Sequence, residues 1–292
     1  MASPVEARDG RALEVFVDGA EDGPLVIMHH GTPSSGMLYP PRVADAAGRG
    51  LRLVGWSRSG YGASDRLAGR SVADCAADVE AIADALGAER FYTIGGSGGG
   101  PHVLATAAQL PERVLAAAAI AAIAPWDAEG LDWLAGMGQE NLDEFDAALE
   151  GGERLERFLE ERRKEAIKAT PEAIMKMLDT LLSDVDRRAL KDDLGVFIAK
   201  ETAHSLQNGV WGWYDDDVAF TRPWGFDLDS TSVPVAIWHG GQDRFVDVAH
   251  GGWLAEHISG ADVHLLPDEG HLSLAEARFG DVLDGLMAAA PA

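Results

Sequence analysis

One serine of this chain lies in a pattern typical of a nucleophile. Ser97 is at the centre of Gly95-Gly96-Ser97-Gly98-Gly99, which matches G-x-S-x-G. That pattern places a serine on a strained turn between a strand and a helix, where glycine neighbours add little bulk. The helix that follows would direct N–H groups and a partial positive charge at the reacting centre. The pattern therefore predicts Ser97 as a nucleophile.

Two other readings of this glycine-rich run are possible. A dinucleotide-binding G-x-G-x-x-G would need glycine where Pro101 stands, counting from Gly96. The lysine of a P-loop is also missing. When these glycines are considered alone, a purely structural glycine-rich turn remains a possible interpretation.

A serine hydroxyl needs a base to remove its proton. Of the nine histidines, His271 is the best candidate because it lies in a loop after a strand-like run, near the end of the chain. The base needs an acid to orient it, and Asp243 follows the strand-like run 233–238. Asp247 is the second choice for this acid, whereas Glu269 is too close to His271 in sequence to be favoured.

An acyl-transfer site also needs two N–H donors for the oxyanion. The backbone N–H of Gly98, directly after the serine, is the first candidate. The second is the N–H of Thr32, in the loop His29-His30-Gly31-Thr32-Pro33 after the apolar run 25–28. Gly31 is small enough to let a substrate approach the backbone. An ordinary strand-end turn is the alternative for this loop.

The elements that must position these residues alternate along the chain. Strand-like runs occur at 13–17, 25–28, 51–54, 91–94, 114–123, 233–238 and 263–266. Helical patterns separate most of them, which predicts an α/β fold with a mostly parallel sheet and helices on both faces. From Trp126 to about Trp224 only helical patterns appear. We therefore expect a core of residues 1–124 and 229–292, and a helical cap of residues 125–228 over the carboxyl ends of the strands.

These motifs resemble those of the α/β-hydrolase superfamily, in particular its cap-bearing members with an HG-x-P oxyanion loop. The resemblance covers almost the whole chain and is carried by residues 30–33, 60–64, 95–99, 240–243 and 270–271. It implies an eight-stranded core sheet, with the cap between the sixth and seventh strands. The chain order serine, acid, histidine is also the order of this family.

Departures from the family pattern narrow the resemblance. Dehalogenases and epoxide hydrolases of the family have an aspartate where Ser97 stands, which largely excludes both chemistries. Haloperoxidase-like members usually have methionine in place of Gly98. Iminopeptidase-like members read HGGPG and GGSWG, from which Thr32, Ser34 and Gly98 depart. The third loop has Ser57 where the family often has aspartate, and this loop is mostly structural.

The overall composition indicates which classes of molecule this protein could bind. The 292 residues carry a net charge of −24, which argues against nucleic acid and anionic membranes. We expect a small-molecule substrate, no cofactor or metal, and a monomer or homodimer. The single cysteine, Cys75, excludes an intrachain disulfide and predicts a buried thiol. The first residues do not form a signal peptide and no apolar run could span a bilayer, so a cytoplasmic location is expected.

The predicted cap is rich in both aromatic and acidic residues. Trp126, Trp211 and Trp213 are the expected substrate-binding aromatics, although such tryptophans more often pin a cap to its core. The run 215–217 is three aspartates, interpreted as a solvated turn rather than a metal site. Glu140, Asp143, Glu144 and Asp146 could bind an amine, as acidic cap residues do in iminopeptidase-like relatives.

Three functions are compatible with this sequence. The leading one is a carboxylesterase or lactonase acting on a small, largely apolar substrate. The second is an aminopeptidase or amidase of the proline iminopeptidase type. The third is a ligand receptor or a lyase that retains the triad with little hydrolysis.

Overall fold

The computed structural model describes residues 3–191 and 193–291. The strands are β1 (Ser3–Glu6), β2 (Ala12–Gly19), β3 (Leu25–His29), β4 (Arg52–Trp56), β5 (Phe91–Gly96), β6 (Val114–Ile120), β7 (Val235–Gly240) and β8 (Asp262–Leu266). They form one sheet in the order β1-β2-β4-β3-β5-β6-β7-β8. The β1–β2 and β2–β4 pairs are antiparallel, and the remaining pairs are parallel. This confirms the predicted eight-stranded, mostly parallel sheet.

Helices separate most of the strands. They are α1 (Pro40–Gly48), α2 (Cys75–Ala85), α3 (Gly100–Gln109), α4 (Gln139–Glu150), α5 (Gly152–Ala166), α6 (Pro171–Met177), α7 (Asp184–Ala189), α8 (Asp193–Ser205), α9 (Trp211–Phe220), α10 (Val248–His257), α11 (His271–Ala277) and α12 (Phe279–Ala289). Short 3-10 turns occur at Ser97–Gly99 and Leu228–Ser230.

The strands bury side chains on both faces, because helices cover both sides of a parallel sheet. On one face Ile27, Val54 and Ile237 pack in a cluster that includes residues of α2, α3 and α10. On the other face Val26 and Leu53 pack in a cluster with residues of α12. Successive residues of β3 thus enter opposite cores, as the two-residue period of a strand requires.

Six helices, α4 to α9, lie between β6 and β7 within the described residues, and we call them the cap helices. These helices agree with the helical patterns of the sequence. The boundaries of a cap domain at residues 125 and 228 remain a prediction. Helices α11 and α12 follow each other almost directly and are separated at Arg278, where the backbone leaves the helical conformation, with φ −114° and ψ 4°.

In the part of the chain that the structure describes, every helix is too short or too polar to cross a bilayer.

Candidate active site

Ser97 stands at a sharp turn between β5 and α3. It is one of two non-glycine residues with positive φ among those described, at 55°. A left-handed backbone is costly for a residue with a Cβ, so surrounding structure must hold it there. Its glycine neighbours allow the turn: a Cβ on Gly95 would lie 2.7 Å from the carbonyl oxygen of Gly99. The serine side chain is therefore presented at the carboxyl end of β5.

His271 and Asp243 form a hydrogen-bonded pair at the same edge of the sheet. The Nδ1 atom of His271 lies 2.7 Å from Oδ2 of Asp243. The other carboxylate oxygen, Oδ1, accepts the backbone N–H groups of Phe245 and Val246 at 2.8 and 2.9 Å. The ring of Phe245 stacks on that of His271 with centroids 4.4 Å apart. Both the acid and the imidazole are thus fixed in orientation.

The electrostatics of this pair favour opposite charges. Burial alone would lower the pKa of His271, but the charge and the hydrogen bond of Asp243 outweigh it and raise that pKa. Burial opposes ionisation of Asp243, yet His271 and His239 hold its pKa well below the ordinary value. Asp243 therefore stays ionised and can stabilise a protonated imidazole.

A second acid, which the sequence analysis did not select, lies beside His271. Asp186 of α7 is fully buried, and its Oδ1 accepts the backbone N–H groups of Leu272 and Ser273 at 2.8 and 3.0 Å. It therefore caps the helix that begins with His271. Its only sequence signal is the spacing Ser183-x-x-Asp186 at a helix start, which gives no information about a partner so far along the chain.

The loop after β3 lies against the serine turn. A Cβ on Gly31 would be 3.5 Å from the Cβ of Ser97, and a Cβ on Gly98 would collide with the Thr32 hydroxyl. Within the described residues, the backbone N–H of Thr32 donates to no other protein group. The N–H of Gly98 belongs to the first turn of a helix, where such groups lack intrahelical partners.

A cavity of about 320 Å³ connects these loops to the cap helices. Ser97, His271, Gly31 and Thr32 all line it. Cap residues close the other side with apolar side chains, among them Ile174, Met177, Leu178, Leu181, Leu194, Phe197 and Ile198. The cavity thus joins the candidate reacting groups to a largely apolar wall.

The three expected substrate-binding tryptophans have different positions. Trp213 lines the cavity and donates its Nε1–H to Glu144 at 2.7 Å. Trp126 and Trp211 are not among the lining residues, which differs from the expectation. Trp126 packs on Trp133 with ring centroids 4.8 Å apart, and Trp211 lies under the guanidinium of Arg66 at 4.0 Å. Both rings therefore pack against other side chains of the protein and do not face the cavity.

The interpretation of residues 215–217 as a solvated turn is wrong. All three aspartates are buried, on α9. Asp215 pairs with Arg66 at 2.7 Å, and Asp216 pairs with Arg58 at 2.6 Å. Burial and the nearby Glu144 raise the pKa of Asp217 well above its usual range, which favours the neutral form of this carboxyl.

Acidic side chains also reach the cavity. Glu140, Glu144 and Glu201 line it, whereas Asp143 and Asp146 do not. Burial raises the pKa of Glu144, and likewise of Glu201, to about 7 in each case. The described residues contain no group of three or more His, Cys, Asp or Glu side chains that could hold a metal ion. Cys75 is buried, and burial raises the pKa of its thiol to about 12.

Comparisons with known proteins agree with this architecture. Over 147 residues the chain is 34% identical to the non-heme chloroperoxidase of Streptomyces lividans, and it spans about half the length of that relative: 50% of this chain and 53% of that protein are covered. It is 25% identical over 292 residues to the uncharacterized hydrolase YcgS of Bacillus subtilis (strain 168), with 96% of each chain covered.

Among solved structures, an esterase from Exiguobacterium antarcticum superimposes with a TM-score of 0.71 at 18% identity, covering 98% of this chain and 100% of that one. At that identity the likeness concerns the fold alone. The family model for the alpha/beta hydrolase fold matches residues 24–277, a range that contains the serine turn, the acid and the histidine. The chain therefore belongs to the α/β-hydrolase fold family.

Proposed function

We propose that this α/β-hydrolase cleaves a carboxylic ester or lactone of a small, largely apolar substrate through an acyl-enzyme on Ser97. One observation carries the proposal. A serine with φ 55° and a histidine hydrogen-bonded to a buried aspartate line the same cavity. This is the set of groups that nucleophilic acyl transfer needs.

The proposed reaction has two halves. His271 removes the proton of the Ser97 hydroxyl as its oxygen attacks the carbonyl carbon, and Asp243 stabilises the imidazolium. The N–H groups of Thr32 and Gly98 stabilise the tetrahedral oxyanion. His271 then protonates the leaving alcohol. A water molecule repeats the sequence on the acyl-enzyme and releases the acid, with no metal or organic cofactor in any step.

The cavity supports the substrate class. Its volume of about 320 Å³ lies at the lower end of small-molecule pockets. The wall formed by Met177, Leu181 and Phe197 suits an apolar acyl or alcohol group. Two of the similar proteins reported above, a hydrolase and an esterase, have names that agree with this class.

The test uses short p-nitrophenyl esters, simple lactones and a fluorophosphonate probe. We expect wild-type protein to hydrolyse the esters and to be labelled at residue 97. Ser97→Ala should lower kcat by about 10⁶-fold and abolish labelling, since the nucleophile is lost. The exposed Ser259 gives the matched control, and Ser259→Ala should retain both properties. Unchanged ester hydrolysis in Ser97→Ala would reject the proposal.

An aminopeptidase is the second candidate, favoured by the carboxyl groups of Glu140 and Glu144 on the cavity wall. An ionised carboxylate there would bind a substrate amine. The pKa of Glu144, raised to about 7 by burial, weakens this reading because the group is partly neutral at physiological pH. Hydrolysis of proline-naphthylamide faster than of any p-nitrophenyl ester would favour the aminopeptidase.

A further inference from the structure

A buried cluster of charged side chains lies behind the loop that carries Thr32. Its centre is Asp216 of α9, which is fully buried. The Oδ2 atom accepts hydrogen bonds from the Thr32 hydroxyl at 2.6 Å, from Arg58 at 2.6 Å and from the Tyr61 hydroxyl at 2.9 Å. The Oδ1 atom pairs with Arg70 at 2.7 Å. A carboxylate of the cap helices is thus bonded directly to the loop after β3.

Arg58 reaches one particular peptide unit of that loop. Its Nη2 donates to the carbonyl oxygen of Gly31 at 3.0 Å, and its Nη1 donates to the carbonyl of His30. The Gly31 carbonyl and the Thr32 N–H belong to the same planar peptide. A cationic donor at the carbonyl end therefore fixes the direction of that N–H and polarises it toward a stronger donor.

His30 acts on the same peptide. Its Nε2 accepts the backbone N–H of Arg58 at 3.0 Å, which leaves the proton on Nδ1. That Nδ1 donates to the Gly31 carbonyl at 2.7 Å. Burial and the charge of Arg58 hold the pKa of His30 well below its usual range, so the ring is neutral. Two donors thus hold one carbonyl oxygen.

The cluster carries an unbalanced positive charge. Arg58 and Arg70 face the single carboxylate of Asp216, and both Nε and Nη1 of Arg70 are buried without a hydrogen-bond partner in the described part of the chain. Burial first, and the neighbouring guanidinium second, keep the pKa of His102 low, so this ring adds no charge. The groups bonded to Asp216 thus carry two positive charges against its one negative charge, and the adjacent Asp215 is paired with Arg66.

We propose that Arg58, held by Asp216, is a positioning residue that orients and polarises the Gly31–Thr32 peptide toward the transition-state oxyanion. The net positive charge of the cluster acts in the same direction, because negative charge develops on the substrate oxygen only as the reaction proceeds. This inference rests on the proposed function, since it assigns a role within that reaction. It predicts an effect on kcat with little effect on KM.

Kinetics of four variants give the first test. Arg58→Met removes the positive charge. Arg58→Lys retains that charge but lacks the planar guanidinium with its paired N–H donors. Asp216→Asn removes the carboxylate that holds Arg58 in place. We expect kcat for p-nitrophenyl butyrate to fall about 10- to 100-fold in both Arg58 variants, with KM within about twofold. The fall should be smaller in Asp216→Asn, where the added positive charge opposes the loss of anchoring. Arg66→Met is the matched control, because Arg66 pairs with the adjacent Asp215. Its kcat should stay at the wild-type value.

An infrared measurement separates polarisation from general structural support. A slowly hydrolysed acyl-enzyme carrying a ¹³C-labelled carbonyl gives a stretching band whose frequency falls as the oxyanion donors strengthen. We expect this band to move to higher frequency in the Arg58 variants and to stay unchanged in Arg66→Met. If Arg58→Met does not fold, as judged by circular dichroism, Arg58→Lys still decides the result.

The outcomes distinguish the two proposals. If kcat falls in the Arg58 variants while the carbonyl band stays unchanged, Arg58 has only a structural role and the inference is wrong. An unchanged kcat would also overturn the inference. If wild-type protein forms no acyl-enzyme on Ser97, the proposed function itself fails. That failure is seen before any variant is compared.

Discussion

At the scale of single residues, the identity of the orienting acid has a direct test. Asp243 bonds to His271, whereas Asp247 accepts the backbone N–H of Ala249 at 2.9 Å and caps α10. We expect Asp243→Asn to lower kcat by about 10⁴-fold, since an amide favours the wrong imidazole tautomer. Asp247→Asn should lose no more than a few-fold. Steady-state ester hydrolysis measures both, and the opposite ranking would give the role to Asp247.

The charge of the histidine sets the expected pH dependence. The pKa of His271 is raised above its ordinary 6.5 by Asp243, and only the neutral imidazole can act as a base. We expect kcat/KM to rise with pH and to level off above a midpoint that is higher than 6.5. Below that midpoint the protonated ring cannot accept the serine proton. A pH–rate profile from 5 to 9 checks this, and a midpoint below 6.5 would contradict it.

The residues proposed for this site lie in recognisable sequence motifs, whereas the side chains around them do not. Ser97, Asp243 and His271 each follow a strand, and the carboxyl ends of parallel strands meet at one edge of a sheet. Simple topology therefore brings them together. The sequence analysis did not predict the ion pairs of Asp216, because Arg58 and Arg70 are about 150 residues away along the chain. A local sequence pattern gives no information about pairs at such a separation.

At the scale of elements, α7 and α11 are joined by one carboxylate. Asp186 accepts two N–H groups at the start of α11 and raises the pKa of His271 through its charge. We expect Asp186→Asn to lower the free energy of unfolding by about 1–2 kcal/mol and to move the pH–rate midpoint downward. Urea denaturation and a pH–rate profile measure the two effects.

The exposed Asp184 on the same helix supplies a control for that experiment. Asp184→Asn should leave both the unfolding free energy and the midpoint close to wild type. If the two variants behave alike, the contribution of Asp186 is no greater than that of a surface charge.

Secondary-structure patterns located most elements but not their ends. The run 114–123 ends as a strand at Ile120, and Ala121 takes a positive φ of 48°. The N–H of Ala121 donates to the carbonyl of Trp238 in β7 at 2.7 Å, and alanine itself, which suits helices, gives no local signal for such a turn. Helix α1 begins at Pro40, a residue compatible with the first turn of a helix, and was not predicted.

At the scale of the whole molecule, the net charge of −24 predicts that stability depends on salt. Like charges repel most strongly in the compact state, and salt screens that repulsion. We expect the Tm to rise by a few degrees between 10 and 200 mM NaCl, as the screening length falls from about 30 Å to below 10 Å. Sodium acetate should act equally if screening is the cause. A falling Tm would show that attractive ion pairs dominate.

The composition also carries predictions about the location of the protein in the cell and about its oligomeric state. The expectations of a cytoplasmic monomer or homodimer, and of a partner that is neither nucleic acid nor membrane, stay predictions. Size-exclusion chromatography with light scattering measures the oligomeric state directly.

The cap helices do more than close a cavity over the sheet. Asp186 of α7 caps the helix that begins with His271, and Asp216 of α9 is bonded to Thr32. A chimaera that received the corresponding helices of another hydrolase would thus lose a support of the proposed base and a support of the proposed oxyanion loop at once. Altering substrate preference by lid exchange in this protein requires grafting these two carboxylates along with the new surface.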